Sequence, residues 1–505
     1  MRLFTSADRA VAEAIGQLVS CNPFLPERIA IERRLLGDAF RYGDEVWSES
    51  DIGLGERENV VALEALSERS TEAARRRLIE GAMPTPAEVT LYEDCVLYAL
   101  YYRHRLAIER LMRGDAAPAD AGRVHASLAE SVAHFDRLPR RDAPSILDDP
   151  AHLLACFFQI RRAFSAIHDA IVGASMPAAG LRAAIWQSIF THDMRRYRRS
   201  LFDKTGDFAT LIVGPSGTGK ELVARAIGLS RYVPFDAKRK AFVEDFAGSF
   251  FPLNLSALSP TLVESELFGH RRGAFTGATA DRKGWLQSCP PLGSVFLDEI
   301  GELDPAIQVK LLRVLQTRAF QPLGDTRTLQ FRGKIIAATH RDLEADMRAG
   351  RFREDFYYRL CSDVIETPSL RRQLDGAPDE LRRLVHFIAK RQMPDEADSL
   401  TEQVLRSIDR HVGRDYPWPG NFRELEQCVR NVLIRGHYAP RPAAAANGDD
   451  IAAAFAAGSL TADELLARYC AHVYRLTGTY EATGARLKLD RRTVRAKVAA
   501  QASNA

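Results

Sequence analysis

The spacing of apolar positions changes character near residue 181. Before it, apolar side chains recur three or four residues apart: Leu97, Leu100, Tyr101, Ile108 and Leu111, then Val124, Leu128, Val132, Phe135 and Leu138, then Phe157, Ile160, Phe164, Ile167 and Ile171. That period puts each set on one face of a helix, so residues 1–180 are predicted to be an all-α bundle. Leu138-Pro-Arg-Arg-Asp-Ala-Pro144 interrupts it as a loop. His104, His125, His134 and His168 fall on these faces and are expected to be packed, hydrogen-bonded histidines rather than ligands. Arg195, Arg196, Arg198 and Arg199 are expected to form a solvated helix face.

From about residue 181 the period alternates between strand and helix, the pattern of an α/β layer. Thr210-Leu-Ile-Val213 is a short β-branched apolar run, followed by Gly214-Pro-Ser-Gly-Thr-Gly-Lys220 and a helix opening at Glu221. Strand, glycine loop and helix together predict a P-loop. Gly214, Pro215, Ser216, Gly217, Thr218 and Gly219 would turn backbone N–H groups onto phosphates at a helix N-terminus, and Lys220 would reach the outer phosphates. Glu221 stands where the general P-loop has the Ser or Thr that holds magnesium, so metal binding is expected to lean on a second motif. That motif is Gly293-Ser-Val-Phe-Leu-Asp298-Glu299, an apolar strand ending in two carboxylates. Asp298 suits Mg2+ or its water shell, and Glu299 suits the attacking water. Between the two motifs lies Gly273-Ala-Phe-Thr-Gly-Ala278, whose glycines permit a tight turn that pushes Phe275 and Thr276 outward.

Composition refines this picture without redirecting it. A chain of 505 residues exceeds one core and predicts about three domains. With 46% apolar and 27% charged residues it has the balance of a soluble globular protein. The net charge of +3 conceals a basic tail, with eight Lys or Arg against four Asp or Glu in residues 459–505. Seven scattered cysteines without Cys-x-x-Cys spacing are expected to be reduced, mostly buried thiols. Asp8 and Glu13 and the lack of a continuous apolar core argue against a signal peptide, and no apolar run reaches bilayer length, so a cytoplasmic location is expected. The N-terminal bundle shows no strand–helix alternation of a phosphoacceptor receiver domain.

Several motifs in order then carry a resemblance. Glu264-Ser-Glu-Leu-Phe-Gly-His270, Gly273–Ala278, Phe296-Leu-Asp-Glu-Ile-Gly-Glu302 and Gln308-Val-Lys-Leu-Leu-Arg-Val-Leu315 resemble the AAA+ domain of the sigma-54-dependent transcription activators, the bacterial enhancer-binding proteins. The family's Gly-Lys-Glu ending to the P-loop looks like Gly219-Lys220-Glu221. The resemblance implies ATP and Mg2+ as cofactors, a helical lid, and assembly from dimer to hexamer ring. It implies that Asn254 holds the catalytic Glu299 until the nucleotide state changes, and that Lys334–Thr339 is the sensor I strand with Thr339 near the nucleotide. The family most often has Asn after that threonine, where this chain has His340. Arg353 and Arg359 resemble paired arginine fingers that reach a neighbouring subunit's site, set against surface pairing with Glu354 and Asp355. Arg423, in Trp418-Pro-Gly-Asn-Phe-Arg-Glu-Leu425, looks like the sensor II residue. Gly273, Ala274, Phe275, Thr276, Gly277 and Ala278 would contact sigma-54. Between Lys220 and Asn254 the chain is longer than usual for the family; a plain surface insertion is expected there, with a contact site for the N-terminal region as the sharper alternative.

The tail completes the reading. Residues 437–459 are Ala- and Pro-rich with Asn447-Gly-Asp-Asp450, a linker composition. Thr461-Ala-Asp-Glu464 predicts a capping box opening a helix to about Leu476. Residues 478–498 resemble a Fis-type helix-turn-helix, with Arg491, Arg492, Thr493 and Arg495 on bases or phosphates of double-stranded DNA and Lys497 on phosphate. Lys488 replaces the usual turn glycine and Gly484 a common alanine, each expected to cost about 1 kcal/mol locally. The predicted divisions are a helical regulatory region (1–180), an α/β P-loop ATPase subdomain (181–368), a helical lid (369–436), a linker (437–459) and a DNA-binding domain (460–505). The function implied is ATP-driven remodelling of sigma-54 RNA polymerase holoenzyme. A regulator acting without sigma-54 would typically lack the Gly273–Ala278 loop, and a remodelling chaperone would not need the tail.

Overall fold

A computed structural model describes residues 2–41, 58–113, 120–138, 145–244, 248–413, 415–440, 458 and 460–503. The predicted loop at 139–144 and most of the predicted linker (441–457 and 459) lie outside the described residues. Residues 1–405 with 415–433 form one compact unit, and 406–414 with 434–505 form another.

The first unit begins with helices α1 (Ser6–Ser20), α2 (Pro26–Leu36), α3 (Glu58–Ile79), α4 (Pro86–Arg113), α5 (Asp120–Phe135), α6 (Pro150–Ala170) and α7 (Met176–Phe190). Their starts follow local chemistry: Thr5 accepts from Asp8 N at 3.2 Å, and Asp149 accepts from Ala151 N and His152 N ahead of Pro150. The apolar stripes meet as the sequence period requires, with Ile15, Leu97, Leu100, Leu128, Val132 and Phe157 in one core.

The α/β layer is a parallel sheet of β1 (Thr210–Val213), β2 (Phe250–Asn254), β3 (Ser294–Asp298), β4 (Lys334–Thr339) and β5 (Asp363–Glu366), in the order β5-β1-β4-β3-β2. Helix α8 (Lys220–Gly228) follows the P-loop, α9 (Pro260–Phe268) leads to the Gly273–Ala278 loop, and α10 (Pro305–Thr317) and α11 (Glu354–Leu360) pack together on the sheet. Covered on both faces, β3 and β4 are continuous apolar runs rather than alternating ones. In register Val213 sits beside Thr339, and Asn254 beside Asp298. The carboxyl ends of four neighbouring strands therefore share one edge, where ligands of open α/β sheets bind.

Apolar packing runs straight across residue 180. Ile167 of α6, Ile171 at its C-terminal cap, and Ile185 and Phe190 of α7 share a core with Ile212, Val223, Ile227, Ile336 and Ile365 of the sheet and P-loop helix. The helical period located α6 but not α7, and a stripe does not name the surface that covers it. The extra segment before Asn254 strengthens the join. Tyr232 Oη lies 2.7 Å from His152 Nδ1, Phe242 stacks on Phe158 with ring centroids 4.2 Å apart, and Phe235 stacks on His125 at 5.0 Å. The expected plain surface insertion is thus corrected: the segment is a short ribbon of Phe235–Asp236 and Ala241–Phe242 that grips the N-terminal helices.

The arginine cluster also departs from expectation. Arg195 is paired with Asp94, and Arg198, on a π-helical turn Tyr197–Leu201, is only 5% exposed, which leaves Arg196 and Arg199 in solvent. A three-to-four-residue charge pattern does not foretell a π-turn, which rotates one side chain inward. His104 matches its expected role, with Nε2 3.3 Å from Ser131 Oγ, and its burial lowers the imidazole pKa. The seven cysteines are free, five of them buried. Among the described residues no helix is long and apolar enough to cross a membrane.

The segment predicted to be a lid contains α12 (Glu380–Gln392) and α13 (Asn421–Arg435). Glu380 fastens it to the α6–α7 junction, accepting from Ala174 N at 3.0 Å and Ser175 N at 3.3 Å. The second unit ends in α14 (Ala462–Thr477), α15 (Tyr480–Leu487) and α16 (Arg491–Ser503). The capping box forms: Thr461 Oγ1 accepts from Glu464 N at 3.3 Å, and Glu464 accepts from Thr461 N at 2.9 Å.

Candidate functional site

The glycine loop takes its shape from positive φ angles at Gly214, Gly217 and Gly219, so that α8 begins at Lys220 with its N–H groups open. At Gly217 the reason is also space: a Cβ there would lie 2.4 Å from Gly420 O of the lid. The lid grips the loop with backbone and side chain. Phe422 N donates to Gly217 O at 3.1 Å, Asn421 Nδ2 to Ser216 O at 2.9 Å, and Arg423 Nη1 to Ser216 Oγ at 3.4 Å. From the sheet side, Thr218 Oγ1 and Thr367 Oγ1 are 2.7 Å apart. Lys220 Nζ donates to Gly214 O at 2.9 Å and Pro215 O at 3.1 Å, and burial lowers its pKa, opposed by the charges of Glu299 and Asp298.

The carboxylate pair faces that lysine. Burial raises the Asp298 pKa, the neighbouring Glu299 charge raises it further, and the N–H of Glu299, donating to Asp298 Oδ1 at 3.1 Å, pulls the other way. Glu299 itself sits in the left-handed region at φ 58°. Asn254 does not touch it: its Oδ1 accepts from Ser256 N at 3.0 Å and Ser256 Oγ at 2.8 Å. The partner of Glu299 is His340, whose Nδ1 lies 2.7 Å from Oε2. The residue that departs from the family pattern thus occupies the position expected of Asn254. Thr339 is fully buried at the end of β4 and accepts from Arg341 N at 3.1 Å.

Lys220, Asp298, Glu299, Glu221 and Arg423 line one cavity of about 270 Å³. Its opposite wall was not foreseen: Ile171 just past the end of α6, Leu181 from α7, and Leu384, Phe387 and Arg391 from α12. Apart from Arg391 these are ordinary apolar-stripe residues in sequence. The one local signal is the Phe387–Arg391 spacing of four, which places the guanidinium 5.7 Å from the ring centroid. Thr367, which pins the P-loop, carried no sequence signal either.

Arg353 and Arg359 stand apart from this cavity. Both are exposed on and beside α11, and Arg353 pairs with Asp355 at 2.7 Å. The Gly273–Ala278 loop rises from a two-residue ribbon of Gly269–His270 and Arg282–Lys283. Gly273 N donates to Ala278 O at 2.8 Å and Ala278 N to Phe275 O at 3.0 Å, with Gly273 and Gly277 at φ 82° and 101°. Thr276 is exposed as expected. Phe275 is not thrown outward: it is half-buried, its ring edge-on to buried His270 with centroids 4.9 Å apart.

In the C-terminal helices Arg492, Thr493 and Arg495 are exposed at the start of α16. Arg491 is paired with Glu481 at 2.7 Å and Lys497 with Asp463 at 2.8 Å. Lys488 takes φ 55° as the turn demands. Gly484 is no weakness: a Cβ there would meet Leu489 O at 2.7 Å, so glycine permits the tight approach of α15 to the turn.

Residues 190–366 match the family model described as the Sigma-54 interaction domain. The chain is 43% identical over 224 residues to the Nif-specific regulatory protein of Azotobacter vinelandii, covering 44% of this chain and 39% of that one. It is 43% identical over 230 residues to the transcriptional regulatory protein ZraR of Escherichia coli K12, covering 45% and 48%. With the hydrogenase transcriptional regulatory protein HoxA of Cupriavidus necator it shares 43% over 239 residues, covering 45% and 43%. The chain thus spans less than half the length of each of these relatives. A solved structure of NtrX from Brucella abortus in complex with ADP aligns over 74% of this chain and 80% of that one, at 23% identity and a TM-score of 0.40. The matched span holds the P-loop, the carboxylate pair, the Gly273–Ala278 loop and both exposed arginines, and residues 190–366 are a sigma-54 interaction domain on an AAA+ ATPase-like core.

Proposed function

We propose that this protein is an ATP-hydrolysing, DNA-binding transcription activator that remodels sigma-54 RNA polymerase holoenzyme to open promoters. The observation that carries the reading is the convergence of Lys220, Asp298, Glu299 and Arg423 on one cavity within a unit that also bears the Gly273–Ala278 loop. Backbone N–H groups of Gly217 to Lys220 and the Lys220 ammonium bind the phosphates. Arg423 and the Phe387 wall orient the nucleotide from the lid. Glu299 accepts a hydrogen bond from the attacking water and polarises it, and its contact to His340 must break or turn for it to do so.

The donor set fits magnesium. Half-buried Asp298 has its carboxyl pKa raised first by burial and then by the neighbouring Glu299 charge, a strain on the charged form that a cation relieves. One or two carboxylates are what Mg2+ takes from protein when phosphates supply the rest. Asp298 would hold it, and its charge would offset that on the phosphates.

Arg353 and Arg359, exposed and outside their own cavity, serve a neighbouring subunit in a ring of up to six, so that hydrolysis depends on assembly. The Gly273–Ala278 loop contacts sigma-54, with Thr276 outermost. In the tail, α15 and α16 act as a Fis-type helix-turn-helix, with Arg492, Thr493 and Arg495 entering the groove and Arg491 and Lys497 turning to phosphate from their present ion pairs. The protein works in the cytoplasm, where promoters and holoenzyme are.

ATP-dependent open-complex formation on a sigma-54 promoter tests the reading. The wild-type chain is expected to form heparin-resistant complexes with ATP. Thr276→Ala is expected to lose them while retaining ATPase activity. Open complexes formed equally well by Thr276→Ala would sink the assignment of the loop.

A further inference from the structure

Among the helices of the N-terminal half lies a second cavity, of about 130 Å³. Tyr98, Tyr101, Phe157, Phe164 and Trp186 make its wall aromatic. A cavity of about 150 Å³ holds benzene, and this one is a little smaller and partly open, a scale that limits its occupant to a single small ring.

Four arginines also line it, and three of them are neutralised by carboxylates of the protein. Arg28 pairs with Glu32 at 2.7 Å and Arg161 with Glu109 at 2.9 Å, and Arg105 pairs with Glu64. Arg198 is the exception. It is 95% buried by its 5% exposure, and among the described residues its guanidinium makes no hydrogen bond or ion pair. Asp94, whose charge acts on it, is committed to Arg195. Burial accordingly pulls the Arg198 pKa down. Asp94 and Asp193 act on it only as neighbouring charges and make no ion pair with it, so a carboxylate placed directly on the guanidinium would relieve the cost of its burial. The Tyr98 hydroxyl is a second donor on this wall, buried without a hydrogen-bond partner of good geometry.

We propose that this cavity binds a small aromatic monocarboxylate, its ring against the tyrosines and Trp186 and its carboxylate on Arg198. One unpaired guanidinium matches one negative charge, and its fork takes both oxygens of a carboxylate. The flat wall selects a ring by stacking and edge contacts. Arg198 also lines a wider, open cleft with Asp94, His152 and Tyr232, and that cleft is the ligand's way in. The site is placed to matter: α6 and α7 line it through Phe164 and Trp186 and run on to the nucleotide cavity at Ile171 and Leu181.

Trp186 makes the site directly observable, independent of ATP turnover. Benzoate titrated into the full chain is expected to change tryptophan fluorescence saturably, with a dissociation constant of roughly 1 mM or tighter, and benzamide, its neutral analogue, is expected to bind at least about tenfold more weakly. The change is expected to vanish in Trp186→Phe. Arg198→Met is expected to lose at least about tenfold in benzoate affinity, with partial recovery in Arg198→Lys. No saturable benzoate response, equal binding of benzamide, a response that survives Trp186→Phe, or unchanged affinity in Arg198→Met each overturns the proposal. Should Arg198→Met fail to fold, the benzoate–benzamide comparison and Trp186→Phe decide it on their own.

Discussion

The proposed nucleotide cavity and the Gly273–Ala278 loop belong to the same compact unit and are held in opposite ways. Around the cavity, contacts join residues far apart in sequence: Asn421 to Ser216, Thr218 to Thr367, Glu299 to His340. The loop is closed by its own short-range bonds, Gly273 to Ala278 and Ala278 to Phe275, and a Cβ added at Gly273 or Gly277 would meet nothing within 4 Å. Phosphoryl chemistry needs groups fixed by packing from several elements, whereas a surface that must change with nucleotide state needs few anchors. The Phe275–His270 contact is one such anchor, and it ties the loop to α9 through the 2.7 Å bond between His270 Nδ1 and Ser265 Oγ.

Substitutions on the two sides should separate accordingly. The largest effect is expected from Glu299→Gln, with phosphate release slowed about 10²- to 10⁴-fold while nucleotide still binds; normal turnover by this variant would overturn its assignment. His340→Ala is expected to change turnover by about tenfold, the scale for removing a partner that orients a catalytic group. Asn254→Ala, parallel to it, is expected to stay within about threefold, because Asn254 bonds Ser256 and not Glu299. If the two variants exchange these effects, the role of Asn254 implied by the family resemblance stands and the observed His340 contact is incidental.

Smaller effects are expected on stability. Buried Asn421 donates to Ser216 O and accepts from Leu370 N at 2.8 Å, so Asn421→Ala should lower the unfolding free energy by about 1–3 kcal/mol and weaken nucleotide binding. Gly277→Ala, at φ 101°, should cost about 1–2 kcal/mol of backbone strain confined to the loop, lowering open-complex formation with ATPase activity intact. Tyr232→Phe removes one bond to His152 and should lower stability by about 1 kcal/mol in chemical denaturation. A Gly277→Ala chain with impaired ATPase would show that loop and cavity are less separable than their contacts indicate.

The chain's order of motifs settled much by itself. Gly214–Lys220 and Asp298-Glu299 are local words whose chemistry follows from residue type and spacing, Arg423 was singled out only by the family resemblance, and the helical stripes of α4 to α6 follow from period alone. The capping box at Thr461 and Glu464 was legible for the same reason. Tertiary structure decided the rest, because it depends on which surfaces meet. Only packing could turn Ile171, Leu384 and Phe387 from core residues into a cavity wall, put His340 rather than Asn254 against Glu299, make the extra segment at Tyr232–Phe242 a grip on the N-terminal helices, and bury Arg198 on its π-turn. Periodicity fixes the face of an element, but the partner of that face is chosen by shape and by the burial of charge, which no local pattern records.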